Sequence, residues 1–107
     1  MARYMSSTEL FQKLEEDKEM VVIDLMSSDE FEKEHIPGAI NIPLDQLGVR
    51  VKEFKKNQRI VVYGSTHTDE ASNKAAEMLE KLGFRKVADF DGGIDAWKQA
   101  GYLTSNN

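Results

Sequence analysis

Apolar side chains along this chain follow two patterns, short unbroken runs and residues spaced three or four apart, and the two patterns alternate. The unbroken runs are Met20-Val21-Val22-Ile23-Asp24-Leu25, Ala39-Ile40-Asn41-Ile42, Ile60-Val61-Val62-Tyr63 and Val87-Ala88-Asp89-Phe90. Runs rich in β-branched residues with no polar alternation predict strands covered on both faces. Such coverage requires helices on either side of a sheet, and the intervening segments supply them. Leu10, Phe11 and Leu14 share one helical face after Ser6-Ser7-Thr8-Glu9, whose spacing is that of a capping box. A short charged helix is expected over residues 29–34, stopped by His35-Ile36-Pro37-Gly38, because proline disfavours helical geometry in the residue before it. Leu44, Leu47, Val51 and Phe54 predict a helix over 44–54 with Gly48 as its weak point. Ala75, Ala76, Met78, Leu79 and Leu82 predict another over 70–82, with Gly83 placed for a left-handed residue just past its end. A last helix is expected over 94–100 after the turn Asp91-Gly92-Gly93. Strands and helices joined by short links predict a three-layer α/β fold, a mostly parallel sheet flanked by helices, as one domain over residues 1–107.

Composition then narrows the chemistry. The 107 residues carry 19 acidic and 14 basic side chains, a net charge of −5, which argues against nucleic acid as the main ligand. The one basic cluster, Lys52, Lys55, Lys56 and Arg59, is interrupted by Glu53 and reads as a solvated helix end. No apolar stretch approaches the roughly 20 residues of a membrane-spanning helix. The first residues lack an apolar signal core, so a cytoplasmic location is expected. The chain has no cysteine, which excludes disulfides, thiolate metal sites and every thiol-based mechanism for these residues. No cofactor is expected, and the oligomeric state is left open.

Four segments, in order, resemble the rhodanese (sulfurtransferase) domain family. They are Val22-Ile23-Asp24-Leu25 with Glu30-Phe31 and His35-Ile36-Pro37-Gly38-Ala39-Ile40-Asn41-Ile42-Pro43; the strand Ile60-Val61-Val62-Tyr63; Lys74-Ala75-Ala76-Glu77-Met78-Leu79 with Leu82-Gly83-Phe84; and Asp91-Gly92-Gly93-Ile94-Asp95-Ala96-Trp97 with Ala100-Gly101. The resemblance runs from about Ser7 to Leu103 and implies the rhodanese fold. It also implies that the strand ending at Tyr63 leads into an active-site loop. In active members a cysteine follows that tyrosine and carries a persulfide sulfur to an acceptor, because a thiolate can attack a sulfane sulfur and later leave. Loop amides and the dipole of the following helix stabilise the anion. Here the position holds Gly64, and a hydroxyl at Ser65 forms no persulfide. The loop ends in Asp69-Glu70, where active loops often carry a basic group, and Leu25-Met26 stands where an arginine is often found. Two carboxylates at a helix start complement its dipole and occupy the positive end that a substrate anion needs.

The loop residues Gly64, Ser65, Thr66, His67, Thr68 and Asp69 therefore form the candidate site, read as a degenerate active-site loop with a ligand-binding role and no catalytic residue. The ligand would be a protein partner or a small anionic or sulfur compound, met by this loop and by the turns at Gly38 and Gly92. The alternative is a sulfurtransferase whose native cysteine was lost or replaced at position 64. A serine nucleophile at Ser65 with His67 as base is disfavoured, since the Gly-x-Ser-x-Gly elbow and an orienting acid are missing. A metal site on His67, Asp69 and Glu70 lacks a second histidine or thiolate at ligand spacing. Phosphatase chemistry on an elongated loop, known for related rhodanese-fold enzymes, would need the same absent cysteine. Other markers have structural readings: Asp24 accepting loop amides, His35 forming a turn, Gly92-Gly93 allowing unusual backbone angles, and Trp97 filling the core.

Overall fold

Alternate residues of each apolar run point to opposite faces, and the run divides between two cores. The computed structural model describes residues 2–106. Among these residues it contains β1 (Arg3–Tyr4), β2 (Val21–Asp24), β3 (Ile40–Asn41), β4 (Arg59–Tyr63) and β5 (Lys86–Asp89) in one sheet of order β1-β5-β4-β2-β3. Every pair in it is parallel. The α-helices are α1 (Ser7–Glu16), α2 (Ser28–Lys33), α3 (Leu47–Arg50), α4 (Ala71–Lys81) and α5 (Gly93–Gln99). Val22, Val61, Tyr63, Ala88 and Phe90 face one core with Leu10 of α1 and Ile94 and Trp97 of α5. Ile23, Ile60, Val62 and Val87 face the other with Leu47 of α3 and Ala75, Ala76 and Leu79 of α4. Trp97, Tyr63, Phe90 and Leu10 are among the fully buried side chains, each worth roughly 1.5–3 kcal/mol of burial. Among the described residues no helix is long and apolar enough to cross a membrane.

Several elements differ from expectation for local reasons. Strand β1 has no apolar signature: its two residues are exposed and are extended because they pair with Ala88 and Asp89 of β5. The helix expected over 44–54 is a chain of three short turns, 3₁₀ at Leu44–Gln46, α-helical at Leu47–Arg50 and 3₁₀ again at Val51–Glu53. Leu47 and Val51 still reach the core, so the periodicity is that of a buried face on an irregular segment. Ser72 of α4 is buried and Leu82, just past its end, is exposed, the reverse of their hydropathy. Ser6 caps α1 by accepting the Glu9 amide at 3.1 Å, yet the Glu9 carboxylate pairs with Arg3 instead of returning to the cap. The complete capping box is Ser27 with Glu30 at the start of α2. Lys56 is less free than a solvated helix end would be. Its Nζ donates to the Leu82 carbonyl at 2.8 Å past the end of α4 and lies 4.3 Å from the Phe84 ring centre.

Candidate functional site

Parallel pairing of β2 with β4 places Asp24 opposite Tyr63, and a buried network grows from that register. The Tyr63 hydroxyl donates to Asp24 Oδ2 at 2.6 Å and accepts the Ile36 amide at 3.0 Å. Asp24 Oδ1 accepts the Met26 amide at 2.8 Å, as expected for a carboxylate turned toward its own loop. Asn41 joins them without a signal in the sequence, its Nδ2 donating to the carbonyls of Asp24 at 3.1 Å and Met26 at 2.8 Å. Burial pushes the Asp24 carboxyl above the ordinary aspartate range, with the bonds from Tyr63 and Met26 opposing it. Burial, then the adjacent Asp24 charge, drives the Tyr63 phenol far above its ordinary value, so it stays protonated and donates.

One residue beyond Tyr63 the chain leaves the sheet. Gly64 is buried, Ser65, Thr66 and Asp69 are partly buried, and His67 and Thr68 are exposed. The loop closes on Asp69. Its amide donates to the Thr66 carbonyl at 3.0 Å, and its carboxylate folds back beneath the loop. Oδ2 accepts the Ser65 amide at 3.1 Å and the Ser65 hydroxyl at 3.0 Å, while Oδ1 accepts the Ala71 amide at 3.0 Å at the first residue of α4. Burial works against the charge on Asp69, but these donors from Ala71 and Ser65 outweigh it and hold the carboxyl below its ordinary range. Of the two acids at this helix start, Asp69 makes the bonds; Glu70 makes no side-chain capping bond. The Ser65 hydroxyl is committed to Asp69, so no serine–histidine pair forms. Thr66 and Thr68 share a hydroxyl hydrogen bond at 2.9 Å.

The start of α5 grips the same loop from its carbonyl side. The amides of Ile94 and Asp95 donate to the carbonyls of Gly64 and Ser65, both at 3.0 Å. Gly93 has φ +68°, and a Cβ there would lie 2.6 Å from the Gly64 carbonyl oxygen. Gly92 has ordinary helical angles; it is small for space, since a Cβ would meet that of Ala96 at 2.5 Å. The turn at Gly92 thus belongs to the loop, but the turn at Gly38 does not. Gly38 lines a separate groove of about 500 Å³ with Phe11, Leu14, Met20 and Trp97, to which residues 64–69 contribute nothing. Ile40 pairs with Ile23, so Gly38, two residues earlier, lies back toward the amino end of β2. His35 is buried, stacked on Phe31 at 3.8 Å with Nδ1 2.7 Å from the Phe31 carbonyl oxygen, and its backbone bridges to Ser105. Trp97 is core, its indole N–H bonded to the Leu103 carbonyl at 2.9 Å.

A second acid lies at the carboxyl ends of the strands. Asp89, 2% exposed at the end of β5, accepts from Asn73 and Ser72 in the first turns of α4, while Asn73 also donates to Asp91 at 3.4 Å. Burial raises its carboxyl above the ordinary range against those two bonds. The sequence carries a signal for it: Val87-Ala88-Asp89 repeats the apolar-apolar-aspartate ending of Val22-Ile23-Asp24.

The pattern of the Rhodanese-like domain family matches residues 7–100, and this chain belongs to that family. A relative named putative sulfur carrier protein YrkF, from Bacillus subtilis, is 35% identical over 86 residues, which are 80% of this chain and 45% of that protein. A sulfurtransferase of Allochromatium vinosum is 27% identical over 101 residues, 94% of this chain and 92% of its own length. Against the first of these the chain spans less than half of the relative. The solution structure of a rhodanese-like domain from Anabaena sp. superimposes with a TM-score of 0.88 at 28% identity, covering 100% of this chain and 81% of that one.

Proposed function

We propose that this chain is a rhodanese-like domain without sulfurtransferase activity, serving as a binding or regulatory module. The observation that carries the reading is Gly64: at the end of β4, where the family's reaction needs a thiolate, the chain has no side chain. A scaffold kept in detail around an emptied position supports a role that uses the shape of the loop. His67 and Thr68 at its tip, with Glu70 beside them, face outward and would meet a protein partner or small ligand together with the turn at Gly92. Asp69, held inward, makes an anionic ligand at the loop centre less suitable than the residues alone suggest. We place this activity in the cytoplasm and in one domain over residues 1–107.

The second reading, sulfur transfer by a form of this protein with its cysteine present, is favoured by the names of its relatives, a putative sulfur carrier and a sulfurtransferase. The first reading is tested directly on the chain as it stands. Incubated with thiosulfate radiolabelled at its sulfane sulfur and then desalted, it is expected to retain no label above that of heat-denatured protein. Stoichiometric retention would overturn the proposal.

A further inference from the structure

Glycine at position 64 is not demanded by the backbone. The glycines with positive φ are Gly38, Gly83, Gly93 and Gly101, so an L side chain is conformationally acceptable at 64. What glycine provides there is room. A Cβ on Gly64 would lie 2.6 Å from Asp69 Oδ2 and 3.2 Å from its Cγ, well inside contact distance. The next nearest atom, the Ala71 Cβ, would be at an ordinary 3.7 Å. The Asp69 carboxylate therefore occupies the volume into which a side chain at 64 would project, and it uses the Ser65 and Ala71 amides while there. We propose that Gly64 and Asp69 form an interdependent pair in which the loop's own carboxylate replaces the missing side chain, so that Asp69 is a second lock on sulfur transfer. The inference rests on the family reading of position 64, and it assigns the loss of chemistry to a coupled pair of residues.

Because the obstacle is the tip of a side chain, a residue at 64 displaces Asp69 and leaves the scaffold standing. Losing the three loop hydrogen bonds is then the main penalty of either single change. Gly64→Ala and Asp69→Ala are each expected to lower the melting temperature by roughly 5 °C, and the double variant by about the same amount, since both changes remove one set of contacts. In Gly64→Cys the introduced thiolate would attack the sulfane sulfur of thiosulfate. A persulfide forms on that thiol while the donor's S–S bond breaks and sulfite leaves with the electron pair. A displaced carboxylate beside it disfavours both thiolate and anionic donor.

The experiment pairs this thermal cycle with intact-mass analysis of Gly64→Cys and of Gly64→Cys combined with Asp69→Ala, each given excess thiosulfate. The expected result is a non-additive cycle and an adduct of about 32 Da that forms at least roughly tenfold faster in the double variant. An additive cycle, equal adduct rates, or no adduct in either cysteine variant overturns the paired lock. Label retention by the unaltered chain would instead overturn the proposed function, and the thermal cycle would still decide whether the two residues are coupled.

Discussion

Two aspartates, one at the end of β2 and one in the loop after β4, show opposite uses of the same side chain. Asp24 is sealed, bonded to Tyr63 and Met26, and pushed by burial toward its neutral form. Asp69 is partly open to solvent, bonded to Ser65 and Ala71, and held charged by those donors. The first network ties together β2, β4, the segment at Ile36 and, through Asn41, β3. None of those contacts involves position 64. Under the proposed reading, that separation lets the scaffold persist when position 64 loses its side chain: the residues that hold the frame and position 64 are neighbours in sequence and belong to different sets of contacts.

The largest effect is expected where the start of α5 meets the loop. Gly93→Ala would force a Cβ against the Gly64 carbonyl, which is backbone and cannot swing away, at a φ that disfavours L residues. A loss of about 3–4 kcal/mol in urea unfolding is expected, with the loop displaced from α5. A loss under about 1 kcal/mol would mean that the loop is not clamped there. Next comes the sealed network. Asp24→Ala strands the Tyr63 hydroxyl and the Met26 amide without acceptors, an expected loss of about 3 kcal/mol, whereas a change near zero would show that the network does not hold the frame.

The smallest effect, and the sharpest contrast, is in pH. Asp69 has a folded pKa below its unfolded one, so its contribution is present above the ordinary aspartate range and is lost as pH falls through the folded value. Asp24 has a folded pKa above its unfolded one, so its protonated form favours folding at low pH and that advantage is lost as pH rises through the folded value. The melting deficit of Asp69→Asn against the native chain should therefore shrink on acidification. That of Asp24→Asn should shrink on raising the pH. Parallel pH profiles for the two variants would contradict the opposed environments.

Much of the frame was legible because burial on both faces leaves an unbroken apolar run, and β2, β4 and β5 are such runs. Strand β1 was not, since Arg3 and Tyr4 are extended only by pairing with β5. Ser6-Ser7-Thr8-Glu9 and Ser27-Ser28-Asp29-Glu30 share one spacing, but Arg3 captures Glu9 while Glu30 stays in its box; a partner brought by tertiary structure decides between them. At the site, the emptied position at Gly64 was readable from the family pattern and the acidic loop end from the residues. That the Asp69 carboxylate turns back into the space left by Gly64 was not readable, because five residues of separation in a loop say nothing of side-chain direction.

Whether this loop carries sulfur is decided by turnover of the purified, unaltered chain with thiosulfate as donor and cyanide as acceptor. With Gly64 at the end of β4, thiocyanate is expected to form no faster than in buffer at any protein concentration. Thiocyanate rising in proportion to the protein, and abolished when the protein is denatured, would contradict an emptied site.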